Sequence, residues 1–217
     1  MIVSEPELSS LILAYLDGSA HTKPDDLRDA AHIHVHHPRT ITDSIGQNVT
    51  IYRPVKRIIA LGNYRTEAVK ILGVSERIVG ISDDILKYDY YYPELLEKPT
   101  VGTWSKPDPE AIISLSPDIV ITSAHSERVL KLREKLQPAG ITVIGMDFYR
   151  DAILKSEMAK LGYILDRSDD ARAYLDWREG YEIPIAEFVD GLAEDDKPRV
   201  LLEWGGSNSP TVIMSQG

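Results

Sequence analysis

The stretch RIIALGNYRTEAVKILGVSERIVGIS, residues 57–82, decides the fold. It opens on a short apolar run, RIIAL (57–61), and closes on another, RIVGIS (77–82), with a helical pattern between them. Two more runs of the same kind follow, DIVITS (118–123) and ITVIGM (141–146). Runs this apolar, without polar alternation, suit strands buried on both faces, as in a parallel sheet. Between the last two lies SERVLKLREKLQ (126–137), which puts Val129, Leu132 and Leu136 on one helical face. Strand–helix–strand at roughly twenty-residue spacing is the pattern of right-handed βαβ units, so the fold class is α/β with a parallel-sheet βαβ lobe. Such sheets bind ligands beyond the carboxyl ends of their strands. The loops to watch therefore begin at Gly62, Ser82, Ser123 and Asp147.

Outward from this lobe the pattern changes on both sides. Residues 5–37 read as a small helical extension. Leu8, Leu11, Ile12, Tyr15 and Leu16 share one face of a first helix, which Asp17-Gly18 ends. Thr22 is placed to cap a second helix, with Pro24 early and Leu27, Ala30 and Ala31 following. That helix runs into AHIHVHH (31–37), which holds four of the six histidines, and should end before Pro38. In a helix only His32 and His36 share a face, and imidazoles in a last turn are favoured by the helix dipole. His32, His34, His36 and His37 are therefore read as structural, and no metal site is assigned. TITDSIGQNVTIYRP (40–54) alternates around Gly46 as a β-hairpin does. Beyond the lobe, Ala171, Tyr174, Leu175, Tyr181, Ile185, Phe188 and Leu192 form a long helical stripe that Gly180 and Pro184 are expected to bend. RVLLEW (199–204) then opens one more strand close to the end of the chain. The expected organisation is an extension over 1–38, an α/β lobe over 39–165, a long connecting helix over 166–194, and an incomplete second lobe over 195–217.

Composition removes several functions. With 24 basic against 34 acidic residues the net charge is −10, which argues against nucleic acid or an anionic membrane as partner. The absence of cysteine excludes disulfides, thiolate metal sites and thiol nucleophiles. No apolar run approaches the ~18 residues of a membrane-spanning helix, and MIVSEPELSS lacks the basic and apolar regions of a signal peptide. The phosphate-binding GxxxxGK[ST], the dinucleotide GxGxxG, the GxSxG elbow and the HExxH zinc motif are all missing. Asp83-Asp84 is the one adjacent carboxylate pair among the strand-end loops, and such pairs in loops are usually solvated. The loops instead carry rings: KYDYYYPE (87–94) holds four tyrosines, and VGTWSKPDPE (101–110) holds Trp104 beside a proline-stiffened turn. Aromatic faces with a polar handle suit a bulky ligand, although any single ring is more often packing.

TITDSIGQNVTIYRPVKRIIAL resembles the opening of the class III periplasmic-type solute-binding proteins, which serve ABC importers of iron–siderophores, haem and cobalamin. The resemblance continues through TEAVKILGVSERIVGIS (66–82), YPELLEKPTVGTWSKPDPEAIISLSPDIVIT (92–122) and the long helix, and covers roughly residues 39–204. It implies two α/β lobes joined by one long helix, with the ligand held between them. This chain would then supply the first lobe, the helix and the start of the second lobe. It also implies a non-enzymatic binding module with no intrinsic cofactor. The partners would be a membrane ABC permease and a transported iron complex, haem or corrinoid. The location would be extracytoplasmic, with the targeting segment absent from this chain.

Residue by residue, the resemblance puts Trp104 where cobalamin binders set an aromatic against the ligand, and Glu110 at the rim position that pairs with permease arginines. Glu110 is equally an acid favoured at a helix N-terminus. Ser123 replaces an aromatic that some corrinoid binders use. Tyr88, Tyr90, Tyr91, His125 and Tyr149 are candidates because phenolates and imidazoles suit ferric iron and haem. Tyr64 and Asp83 complete the strand-end set. Arg65 could meet an anionic group, its other reading being a solvated arginine at a helix start. Two alternatives stay open: a metal-inserting tetrapyrrole enzyme in which His125 acts with Asp83 or Asp84, and a module docking a protein through the extension and the tyrosine loop.

Overall fold

The computed structural model describes residues 3–18, 23–197, 201–204 and 211–214. Two helices precede the first strand. α1 (Glu5–Leu16) starts where the Glu7 carboxylate accepts the Ser4 backbone N–H at 2.8 Å, and it buries none of its residues. α2 (Pro24–His36) starts where Asp26 accepts the Lys23 N–H at 2.9 Å, and stops before Pro38. The expected Thr22 cap lies outside the described residues. β1 (Arg39–Thr42) and β2 (Asn48–Ile51) form the hairpin anticipated around Gly46, antiparallel with Arg39 opposite Ile51. Ile41, Val49 and Ile51 turn inward from it.

The βαβ pattern of the opening stretch becomes β3 (Ile58–Ala60), α3 (Asn63–Ile71) and β4 (Ile78–Ile81). After a segment of tight turns come α4 (Pro109–Ser114), β5 (Ile119–Thr122), α5 (Ser126–Leu136), β6 (Thr142–Gly145) and α6 (Asp151–Leu165). The four strands are parallel, in the order β4-β3-β5-β6. Neighbouring residues point to opposite faces of a strand, and here both faces are covered. Ile59, Leu61, Val120 and Val143 pack with Val129, Leu132 and Leu136 of α5 in one cluster, while Ile58, Ala60, Ile119, Ile121 and Ile144 are equally buried. That two-sided burial is why the strands read as unbroken apolar runs. The chain steps from β3 outward to β4, then back past β3 to β5 and β6. Right-handed crossovers in opposite directions put α3 on one face and α4 and α5 on the other. The reversal falls between β3 and β5, the place where sheets of this kind open a crevice at their carboxyl ends.

The hairpin is fastened to the β6 end by one buried carboxylate. Asp43 accepts the N–H groups of Ile45 (3.1 Å), Gln47 (2.9 Å) and Gly145 (3.2 Å), and pairs with Arg133 of α5 at 2.6 Å. The Ser44 N–H adds a bond to the Gly145 carbonyl at 2.9 Å.

The chain divides into two units, Met1–Tyr174 and Leu175–Gly217. α7 (Ser168–Asp190) is the long helix expected from the stripe, and it runs through Pro184. In the second unit, β7 (Leu201–Trp204) pairs antiparallel with β8 (Thr211–Met214). Among the described residues no helix is long and apolar enough to cross a membrane.

Candidate functional site

Four loops leave the carboxyl ends of the parallel strands, and hydrogen bonds tie them into one rim. After β3 the chain turns at Gly62, whose φ of +91° an L side chain rarely adopts. The Gly62 N–H donates to the Ser82 hydroxyl at the end of β4 (2.8 Å). A Cβ here would stand 3.1 Å from Arg65 Nη1 and 3.2 Å from the Trp104 Cβ, so the absence of a side chain lets the Trp104 loop sit down on the end of β3. That loop is bent at Gly102, also at positive φ, where the carbonyl accepts the Asp83 N–H at 2.9 Å.

Arg65 is not solvated: it is 5% exposed, in the first turn of α3. Its guanidinium donates to the carbonyls of Leu61 and Met146, each at 3.3 Å, and to Asp147 Oδ1 at 3.5 Å. Burial pulls this group below the ordinary arginine range, and Asp147 opposes that pull. Asp147, itself buried, also accepts the Ala124 N–H at 3.3 Å and pairs with Arg150 at 3.2 Å. One arginine thus links the loops after β3, β5 and β6. Over this floor stand exposed rings. Tyr64 and Tyr149 lie 5.8 Å apart between centroids, and Trp104 is 43% exposed.

Beside Trp104 stands Arg128 of α5. Its guanidinium carbon lies 5.0 Å from the Trp104 ring centroid, and Nη1 donates to the Ser123 hydroxyl at 3.0 Å. His125 is the exposed residue preceding α5. A depression of about 800 Å³ runs from Ser105 and Pro107 past His125 and Arg128 to Lys131 and Lys135. Glu110 is exposed as the second residue of α4, above the Asp108 cap that accepts the Glu110 N–H at 2.9 Å.

The candidates therefore separate into two groups. Arg65, Trp104 and Ser123 join directly in the rim network, with Asp83 tied to it through its backbone and Tyr64, His125 and Tyr149 on the same loops. Tyr88, Tyr90 and Tyr91 belong to a different cluster, against the flank of α3. The Tyr91 hydroxyl donates to Glu67 at 3.4 Å, its carbonyl accepts from Lys70 Nζ, and that ammonium lies 4.8 Å above its ring. Tyr92, which the sequence reading did not single out, is fully buried and donates to Asn63 Oδ1 at 2.6 Å. Burial, with Glu67 adding to it, pushes both the Tyr91 and Tyr92 phenols above the ordinary tyrosine range, so neither offers a ready phenolate. Tyr90 is 86% exposed. Among the described residues no hydrogen bond or ion pair joins His125 to Asp83 or Asp84, and one Asp84 oxygen is buried without a partner.

The histidine-rich turn lies apart from the rim. His32 Nε2 pairs with Asp166 at 3.2 Å, His34 Nδ1 meets the Val3 carbonyl at 2.8 Å, and the His32 and His36 rings stand 4.6 Å apart. Each imidazole with a polar contact has a different partner. Among the described residues no group of three or more His, Asp or Glu is arranged to hold a metal ion.

A parallel α/β lobe that gathers rings and arginines beyond its strand ends has the architecture of a ligand-holding lobe. The chain belongs to the periplasmic binding protein family, whose profile matches residues 58–217. An uncharacterized ABC transporter substrate-binding lipoprotein of Bacillus subtilis, YvrC, is 30% identical over 158 residues, 70% of this chain and 46% of that protein. The probable siderophore-binding lipoprotein YfiY of the same organism is 25% identical over 190 residues, 79% of this chain and 58% of that protein. The chain thus spans about half the length of these curated relatives. Among solved structures, the molybdate-binding protein MolA of Haemophilus influenzae superposes with a TM-score of 0.64 at 18% identity, over 74% of this chain and 56% of that one. The heme-binding protein HmuT superposes at 0.57 and 22% identity, over 81% of this chain and 56% of that one. At these identities the structures establish a shared fold.

Proposed function

We propose that this chain is the solute-binding component of an ABC importer, capturing a metal chelate, an iron complex in the first instance, and delivering it to a membrane permease outside the cytoplasm. The observation that carries this reading is the rim itself: Trp104, Tyr64 and Tyr149 exposed over a buried Arg65 at the carboxyl ends of a parallel sheet. Exposed rings on a fixed floor suit capture of a bulky, partly apolar ligand better than they suit proton transfer. Kinship with YvrC and YfiY supports the transport role, and the siderophore role of YfiY supports the ligand class. In this reading residues 1–38 are an extension, 39–165 the ligand-binding lobe, 166–194 the connecting helix, and 195–217 the opening of a second lobe. Glu110, exposed on the first turn of α4, is the permease contact.

The test pairs two variants. Equilibrium dialysis against ferric siderophores, haem and cobalamin should find a ligand among the iron complexes. Trp104→Ala should weaken it about tenfold or more, the order of ~1–2 kcal/mol expected from an aromatic contact. Glu110→Ala should leave affinity intact and reduce uptake by cells. Equal uptake with Glu110→Ala would remove the docking role; failure of every chelate to bind would remove the transport role.

A further inference from the structure

Among the described residues, the basic side chains around the rim differ in burial and in pairing. Lys106 and Lys135 are exposed lysines with no carboxylate partner, free to be solvated. Arg65 and Arg150 share Asp147, and Lys131 pairs with Glu127 at 2.7 Å. Arg128 differs from both sets in being half-buried yet unpaired: among the described residues no Asp or Glu reaches its guanidinium, which instead holds the Ser123 hydroxyl at 3.0 Å and the face of Trp104 at 5.0 Å. A half-buried cation left unneutralised, in a chain of net charge −10, needs an explanation. Guanidinium has five N–H donors. Ser123 takes one, and the indole attracts the flat face without consuming an N–H. Both contacts orient the group, and neither cancels its charge. A carboxylate at position 123 would have done the second as well as the first. The hydroxyl holds the arginine in place while leaving its charge and remaining donors to an acceptor from outside.

We propose that Arg128, held by Trp104 and Ser123, is the charge-selecting group of this site, and that the ligand is an anionic chelate. Its oxygens would meet Arg128 while an aromatic or apolar body covers Trp104. This rests on the chelate-binding role proposed above and adds the sign of the ligand's charge. Arg65 sets the comparison. Its charge is committed to Asp147 and two carbonyls beneath the surface, so it serves the floor, and Arg128 serves selection.

The experiment is equilibrium dialysis of the whole 217-residue chain against two iron(III) probes. One is ferric enterobactin, a trianionic triscatecholate; the other is ferrichrome, a neutral trihydroxamate. The anionic probe should bind about tenfold or more tightly, and its advantage should shrink as salt rises. Arg128→Gln should cut the ratio of anionic to neutral binding about tenfold, and Arg128→Lys should restore part of it, because the charge returns without the planar fork. The melting midpoint of each variant reads folding separately. Equal binding of the two probes by the native chain overturns the proposal while leaving chelate binding in place. Equal weakening of both probes by Arg128→Gln assigns the residue a packing role and also overturns it. Binding of neither probe removes the chelate-binding role, and this inference with it.

Discussion

Arg65 and His37 are both basic side chains taken almost out of water, and they meet that cost in opposite ways. Arg65 stays charged because Asp147 and two carbonyls surround it. His37, 5% exposed, has no such support: neither ring nitrogen makes a hydrogen bond of ordinary geometry. Burial lowers its affinity for a proton, Arg39 and His32 lower it further, and Asp166 and the Arg53 backbone work the other way without overcoming them. The unfolded chain therefore binds this proton more tightly than the folded chain does. The stability owed to a neutral His37 is complete above the ordinary histidine value of about 6.5 and is lost as pH falls through it toward the lower folded-state value. Acidification from neutral pH should lower the melting midpoint of the native chain more steeply than that of His37→Gln. Parallel slopes for the two proteins would assign the acid sensitivity elsewhere.

Among the elements, the hairpin depends most on a single residue. Two four-residue strands are marginal alone, and Asp43 joins this pair to β6 and α5 through three backbone N–H groups and Arg133. Asp43→Ala would leave those donors and a partly buried arginine without their acceptor. It should cost about 3 kcal/mol, on the scale of a broken buried pair, read as a lower urea midpoint. Elements of this kind were legible in the sequence. The four strands, α5 and the hairpin could be read because each rests on a local period of burial that few residues interrupt. The attachment of the hairpin was not legible, since Asp43 and Arg133 are brought together only by the finished sheet.

At the scale of the whole molecule the same distinction separates fold from site. That Trp104, Tyr64 and Tyr149 lie beyond the strand ends could be read from the sequence, because each follows closely on an apolar strand or its neighbouring loop. The burial of Arg65 and the placement of Arg128 beside Trp104 could not be read from the sequence, because both residues look like ordinary polar ones in a first helical turn. What sets them apart is the strand order, which brings Asp147 to one and Trp104 to the other. α7 carries the opposite kind of signal: Tyr181, Ile185 and Phe188 belong to the stripe visible in the sequence, and in the structure they and Trp177 are exposed. Trp177, Tyr181, Ile185 and Phe188 follow one another along one side of the helix and are 60%, 61%, 62% and 69% exposed. In solution this chain should consequently behave as a weak amphiphile. Sedimentation should show association that grows with protein concentration and persists at high salt, as expected for apolar rather than ionic contact. The double variant Ile185→Lys, Phe188→Glu should stay monomeric over the same range, and unchanged association would place the adhesive surface elsewhere. A few charged substitutions along that side of α7 should therefore ease purification and storage of this chain.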